Sequence, residues 1–247
     1  MNKKLIFLDT ETTGNDLKED RLCQVAYKMD GKMTVKNFKP SVPISVKAMS
    51  VTNITNKMVE NEEVFQESDF AKELQELLSE NILVAHNAKF DIAMLENEGL
   101  KVPQYICTLR LSRYLDDKAE IPEHNMQFLR YYYDSDFGFS NENGMDVVAH
   151  SADGDVLVLE QVYKYLVGLA KEKANTDDEE VIVNRMIEIS SHPSLIRRFS
   201  FGKHMDKLVE DVAREDMGYL QWFLKTKEDE GTDEDWIYTL KYFLNKK

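Results

Sequence analysis

Near residue 66 the apolar residues of this 247-residue chain change period, and that switch constrains its fold more than any other feature. Before it, three short runs, KLIFLD (4–9), LCQVAYKM (22–29) and MTVKNF (33–38), are rich in the residue types of strands. Asp30-Gly31 separates the second run from the third and suits a tight hairpin turn, so the chain is predicted to open antiparallel. Beyond it the pattern alternates, with helices over 66–80, 88–98, 109–116, 124–133 and 155–170 and strands over 81–86 and 104–108. Strands first and alternation afterwards imply an α/β fold, one mixed sheet flanked by helices. The charged stretch KEKANTDDEE (171–180) interrupts the periodicity, giving a domain over 1–172, a linker over 173–180 and a module over 181–247 too small to be an enzyme alone.

Carboxylates stand where such a fold presents polar groups. Asp9 and Glu11 are two apart at the end of the first strand, so alternation directs both to one face and Thr10 to the other. Asp91 falls in the first turn of the helix after the 81–86 strand, and Asp155 near the start of the apolar helix VLVLEQVYKYLVGL (156–169). Four ionised carboxylates gathered in one place repel strongly, and two divalent cations supply the matching positive charge. Such a pair suits an in-line phosphoryl displacement by water. His150, five residues before Asp155, has the proton affinity to act as a general base near neutral pH.

Net charge works against a polyanionic partner: the formal value is −14, and affinity for phosphates comes from lysine and arginine. Part of that acidity belongs to the metal cage and part to the stretches 176–180 and 228–235, which read as solvated. Arg197, Arg198 and Lys203 cluster in the module and are the natural place to hold phosphates. Cys23 and Cys107 are too far apart in sequence for a metal or redox motif and read as buried thiols. Lys3 and Lys4 precede only four apolar residues, and no run reaches membrane-spanning length, so the chain is expected to be cytoplasmic with no membrane partner.

The segments LDTETTG (8–14), AHNAKFD (85–91) and His150-x-Ala152-x-x-Asp155 resemble the three motifs of the DnaQ-like, DEDDh superfamily of 3′-5′ exonucleases. PISVKAMSVTNIT (43–55), ICTLRLSRYL (106–115) and FGKHMDKLVEDVAREDMGYLQWFL (201–224) extend the likeness to its bacterial exodeoxyribonuclease X group. The resemblance implies a ribonuclease H-like fold with a small C-terminal accessory module, and release of nucleoside 5′-monophosphates from DNA 3′ ends, single-stranded or frayed. It implies two Mg2+ ions, with Mn2+ as a substitute, held by Asp9, Glu11, Asp91 and Asp155, and His150 as general base. It also places Thr10, Thr12, Asn87 and Phe90 against the terminal nucleotide, with Thr52 where relatives carry a histidine. Asp153 and Gly154 replace residues that are apolar in relatives, adding a fifth carboxylate. The motifs are shared by RNA-trimming exoribonucleases and polymerase proofreading subunits. An inactive nucleic-acid-binding module is disfavoured by the intact catalytic set. Arg130-Tyr131-Tyr132-Tyr133 offers either a base-stacking platform or a packed helix end, the second being the commoner use of such a cluster.

Overall fold

A computed structural model of the chain describes residues 3–133, 152–231 and 233–246. These residues divide into two compact units, the first formed by Met1–Thr108 and Arg130–Tyr165, the second by Leu109–Leu129 and Leu166–Lys247.

The first unit is built on a five-stranded mixed sheet in the order β3-β2-β1-β4-β5. Strands β1 (Leu5–Thr12), β2 (Leu22–Met29) and β3 (Lys32–Asn37) pair antiparallel, whereas β4 (Ile82–Ala85) and β5 (Tyr105–Cys107) run parallel to β1. Met29 pairs with Lys32 across the Asp30-Gly31 turn, whose φ angles of 51° and 79° are those of the left-handed hairpin turn the dipeptide suits. Both faces of β1 and β4 are covered: Ile6, Leu8, Leu83 and Val84 are fully buried, as are Val156, Val158 and Val162 of the long helix over 152–174. That helix is fastened to the sheet by an edge-on contact of Tyr163 with Phe7, centroids 5.4 Å apart, and by a Glu160–Lys28 ion pair of 2.6 Å.

Between the hairpin and β4 the chain makes two helices that periodicity did not signal, α1 (Val46–Thr52) and α2 (Asn56–Val59). Ser45 and Thr55 cap their first turns, accepting from the amides of Ala48 and Met58. Asn56 pins the segment by accepting from the Ile44 amide at 2.8 Å and donating to the Ile44 carbonyl at 3.0 Å. Helices α3 (Asp69–Glu80), α4 (Ala88–Asn97), α5 (Thr108–Leu115) and α6 (Met126–Tyr132) follow close to the predicted positions. The long helix, α7 (Ala152–Ala174), extends past both ends of its apolar core, with Asp153 and Asp155 in the first turn and Lys171 and Lys173 in the last, as the helix dipole favours. Cys23 and Cys107 are buried free thiols. In the 130–133 cluster Tyr133 is packed against Tyr165, centroids 4.1 Å apart, while Tyr131 and Tyr132 are exposed.

The second unit is helical: besides α5, it contains α8 (Glu179–Ser191), α9 (Val209–Glu215), α10 (Met217–Glu230) and α11 (Glu234–Asn245). Phe199, fully buried, anchors an aromatic core with Phe223 and Trp236, its ring stacked on Trp236 at 5.0 Å. A buried charge network ties α5 to α11. Arg110 pairs with Glu234 and, at 2.9 Å, with Asp235, and donates to the Ser190 carbonyl at 2.8 Å. Arg113 reaches the other Asp235 oxygen at 2.8 Å, and Ser194 donates to the same carboxylate from its amide and hydroxyl. The three cations of the 197–203 arm are therefore not alike. Arg198 donates to the carbonyls of Asp206 and Ala119, and Lys203 pairs with Asp216 at 2.7 Å.

Removing Arg110 takes one cationic partner from Glu234 and Asp235 and a donor from the Ser190 carbonyl, while Asp235 keeps Arg113 and Ser194. Arg110→Ala is expected to destabilise the second unit by about 1–3 kcal/mol, the usual cost of taking a partner from buried hydrogen-bonding groups. Both tryptophans of the chain, Trp222 and Trp236, lie in this unit, so urea unfolding followed by tryptophan fluorescence measures it directly.

Candidate active site

The site is built at the end of β1. Its first half, Ile6 to Leu8, is core, and its last residues alternate, with Asp9 and Glu11 partly exposed and Thr10 and Thr12 buried. Pairing with β2 becomes irregular between Glu11 and Thr12, where the strand leaves the sheet. The turn that follows is tightly held: Thr13 donates to Asp20 at 2.7 Å and the Asp16 amide donates to the other Asp20 oxygen at 2.8 Å. Asp20 lies so close to Gly14 that a Cβ there would be 2.4 Å from its carboxylate, so a side chain at 14 would push Asp20 from its bonds to Thr13 and Asp16.

One carboxylate oxygen from each of Asp9, Glu11 and Asp155 lies within 4.8 Å of the others. Asp155 is brought there by the first turn of α7 and is buried. Asp91, buried in the first turn of α4, accepts a 2.8 Å hydrogen bond from the Thr10 hydroxyl. Burial, and after it the charges of Asp91, Glu11 and Asp155, hold the Asp9 carboxyl well above the usual carboxylate range. Burial and then Asp155 and Asp91 push Glu11 up to about 8. Burial raises Asp91 to about 7 against the opposing hydrogen bond from Thr10. Carboxyls so arranged hold protons in place of a cation, and a hard divalent ion that prefers oxygen ligands fits this donor set.

Thr10, placed by resemblance against a nucleotide, has its hydroxyl engaged by Asp91; no sequence spacing signals a bond between residues so far apart. The Thr12 hydroxyl donates to the Gly14 carbonyl at 2.6 Å, and that of Thr52 accepts from the Ile54 amide at 3.1 Å. Asn87 adopts a left-handed conformation, φ 60°, that asparagine tolerates, and lies exposed immediately before α4. Phe90 is half-buried. Asp153 is exposed and does not join the three-carboxylate group among the described residues. His150 lies outside the described residues.

The raised carboxyls set a pH dependence. A folded-state value above the ordinary 3.8 or 4.5 means the folded chain holds protons the unfolded chain releases, so their contribution to stability is full below about pH 4 and lost as pH rises through about 7 to 8. In EDTA the Tm is expected to fall between pH 5 and 8, and Mg2+ should raise it most at the alkaline end. Asp9→Asn should flatten the EDTA profile. Circular dichroism melts at each pH measure this; a Tm that rises over that range in EDTA would contradict the carboxylate cage.

Residues 6–163 match the family model described as Exonuclease, and residues 199–228 match the one described as Exodeoxyribonuclease X-like C-terminal. Exodeoxyribonuclease 10 of Escherichia coli (strain K12) is 28% identical over 244 residues, covering 97% of this chain and 98% of that protein. The 3′-5′ exonuclease DinG of Bacillus subtilis (strain 168) is 35% identical over 126 residues, 46% of this chain and 13% of that protein. A solved structure of Exonuclease X in complex with 5′ overhanging duplex DNA superposes with a TM-score of 0.56 at 21% identity, over 75% of this chain and 99% of that one. E. coli Exonuclease I in complex with a dA16 oligonucleotide superposes with a TM-score of 0.53 at 18% identity, over 74% and 43%. These likenesses establish the ribonuclease H-like fold, and with the match over residues 6–163 the chain belongs to the Exonuclease family.

Proposed function

We propose that the protein is a metal-dependent 3′-5′ exodeoxyribonuclease that hydrolyses DNA from the 3′ end and releases nucleoside 5′-monophosphates. The observation that carries this reading is the convergence of Asp9, Glu11 and Asp155 within 4.8 Å, inside the segment that matches the Exonuclease family. Similarity to Exodeoxyribonuclease 10 over almost the whole chain favours DNA over RNA and a free-standing enzyme over a proofreading subunit.

Asp9, Glu11, Asp91 and Asp155 would hold two Mg2+ ions, or Mn2+ in their place. Bound divalent cations supply activation of a water molecule and stabilisation of the leaving oxygen at such a site. The water oxygen bonds to the terminal phosphorus, the bond to the 3′ oxygen of the penultimate nucleotide breaks, and that oxygen takes up a proton. His150 accepts the proton of the attacking water. Thr10 orients Asp91 through its hydroxyl. Asn87 and Phe90, at the start of α4, contact the 3′-terminal nucleotide by side chain, while Thr10, Thr12 and Thr52 border it, their hydroxyls engaged within the protein. The chemistry belongs to a domain over 1–172, joined through 173–180 to an accessory module over 181–247.

Digestion of 5′-labelled and 3′-labelled DNA and RNA oligonucleotides, single and double stranded, with Mg2+ or EDTA, tests the reading. A ladder from the 3′ end of DNA, abolished by EDTA, is expected; products shortened from the 5′ end, or RNA cleaved in preference, overturn it. Asp155→Asn is expected to remove nearly all turnover with the fold intact.

His150→Ala should lower kcat by roughly the 10²–10⁴-fold typical of a general base while leaving Mg2+ binding largely unchanged. Near wild-type kcat would remove His150 from the mechanism.

A further inference from the structure

The second unit contains a cavity of about 330 Å³ lined by residues from three segments: Tyr114 on α5, Arg185, Glu188 and His192 at α8 and its end, and Arg197 and Tyr238 beyond. Its volume is that of a small-ligand site and its walls combine guanidinium groups with aromatic rings. In a chain of net charge −14, two arginines meeting in one concavity is a local reversal.

The groups in it differ in how far they are committed. Arg185 pairs with Glu188 at 2.5 Å and donates to the Tyr114 hydroxyl at 3.3 Å, with its guanidinium 5.9 Å from the centre of that ring. Arg197 is half-buried, yet no carboxylate lies within ion-pair distance of it among the described residues. Its hydrogen bonds there all leave from Nη1, to the carbonyls of Arg113 and Leu195 at 3.3 and 3.4 Å. The other guanidinium nitrogens have no acceptor among those residues. His192 Nδ1 lies 2.8 Å from the Glu188 carbonyl and 2.9 Å from the Ser191 hydroxyl. Tyr238 is 43% exposed at the rim.

We propose that this cavity binds one nucleotide unit, its phosphate against Arg197 and Arg185 and its base against Tyr238. A planar guanidinium with unused donors recognises phosphate oxygens, and a tyrosine face stacks any base. Sulfate or carboxylate would satisfy the arginines but leave the exposed Tyr238 ring unused. The nucleotide is either a free 5′-monophosphate or one residue of a strand. The assignment rests on the nucleic-acid reading of the chain and is independent of the carboxylate site, which in EDTA repels phosphate.

The test is equilibrium dialysis of the full chain in EDTA against thymidine 5′-monophosphate, a five-residue oligothymidylate and inorganic phosphate, with hydrogen exchange measured on peptides covering 179–198. Binding of the mononucleotide or the oligonucleotide, with protection of those peptides, is expected, and which of the two binds identifies the source. Arg185→Ala with Tyr238→Ala should weaken it about tenfold or more, the scale of a lost stacking contact and charge-assisted bond, and Tyr238→Phe should restore the stacking part. Cleavage of a trinucleotide with Mg2+ should be unchanged in these variants; wild-type chain that fails to cleave it refutes the exonuclease reading and leaves the binding result standing. Binding unaffected by the double substitution, absence of protection, or phosphate binding as tight as the mononucleotide overturns the nucleotide site. Tryptophan fluorescence checks that the variants fold.

Discussion

Mutual repulsion among closely grouped carboxylates governs this structure. Asp9, Glu11 and Asp155 present oxygens within 4.8 Å of one another, with Asp91 close enough to raise Asp9 further. In a low-dielectric setting such a cluster is tolerable only when protonated or when cations occupy it. The surrounding scaffold is correspondingly stiff. Asp9 and Glu11 are paired with Ala26 and Gln24 of β2, Asp155 is on a helix packed by Val156, Val158 and Val162, and Asp91 is held by Thr10. A flexible support would let the carboxylates separate and relax the repulsion that gives a divalent cation its affinity. The turn closed by Thr13, Asp16 and Asp20 over Gly14 serves the same end, since it is where β1 stops being restrained by β2.

The second unit solves a different problem with the same currency of charge. In an acidic chain its arginines are mostly consumed internally: Arg110 and Arg113 by Asp235 and Glu234, Arg214 by Asp211, Arg198 by carbonyls. Counting basic residues in the 197–203 arm therefore overstates what is available to a polyanion. What distinguishes Arg197 is that its hydrogen bonds among the described residues leave from one nitrogen, to carbonyl oxygens, so the guanidinium keeps most of its donors. Affinity for phosphate in such a protein is a matter of a few placed groups rather than of overall field.

Much of the first unit was legible in the sequence because its signals are local. Period-two runs and a dipeptide that favours positive φ specify the β2–β3 hairpin without reference to anything distant. The apolar stripes of α3 and α4 and the short runs of β4 and β5 are likewise visible within windows of a few residues, as is the placement of Asp9 and Glu11 on one side of a strand. The helices over 46–59 were not legible, since each is about two turns or less and owes its stability to caps and to the Asn56 bonds with Ile44. The grouping of 109–129 with the C-terminal helices was hidden for a related reason: Arg110 and Arg113 look like ordinary polar positions until α11 supplies Asp235.

The sequence by itself therefore determined the order and type of the main elements and the identity of the candidate metal ligands, because hydrophobic period and residue chemistry are written locally. Tertiary structure alone decided which of those groups meet. Thr10 and Asp91 are 81 positions apart, and only the parallel packing of β4 beside β1 brings α4 to the strand's end, where the Thr10 hydroxyl meets the Asp91 carboxylate. The cavity holding Arg185, Arg197 and Tyr238 is likewise a product of packing, assembled from segments far apart in the chain. Proximity across long stretches of chain depends on which surfaces bury together, and that is a property of the whole core rather than of any window of residues.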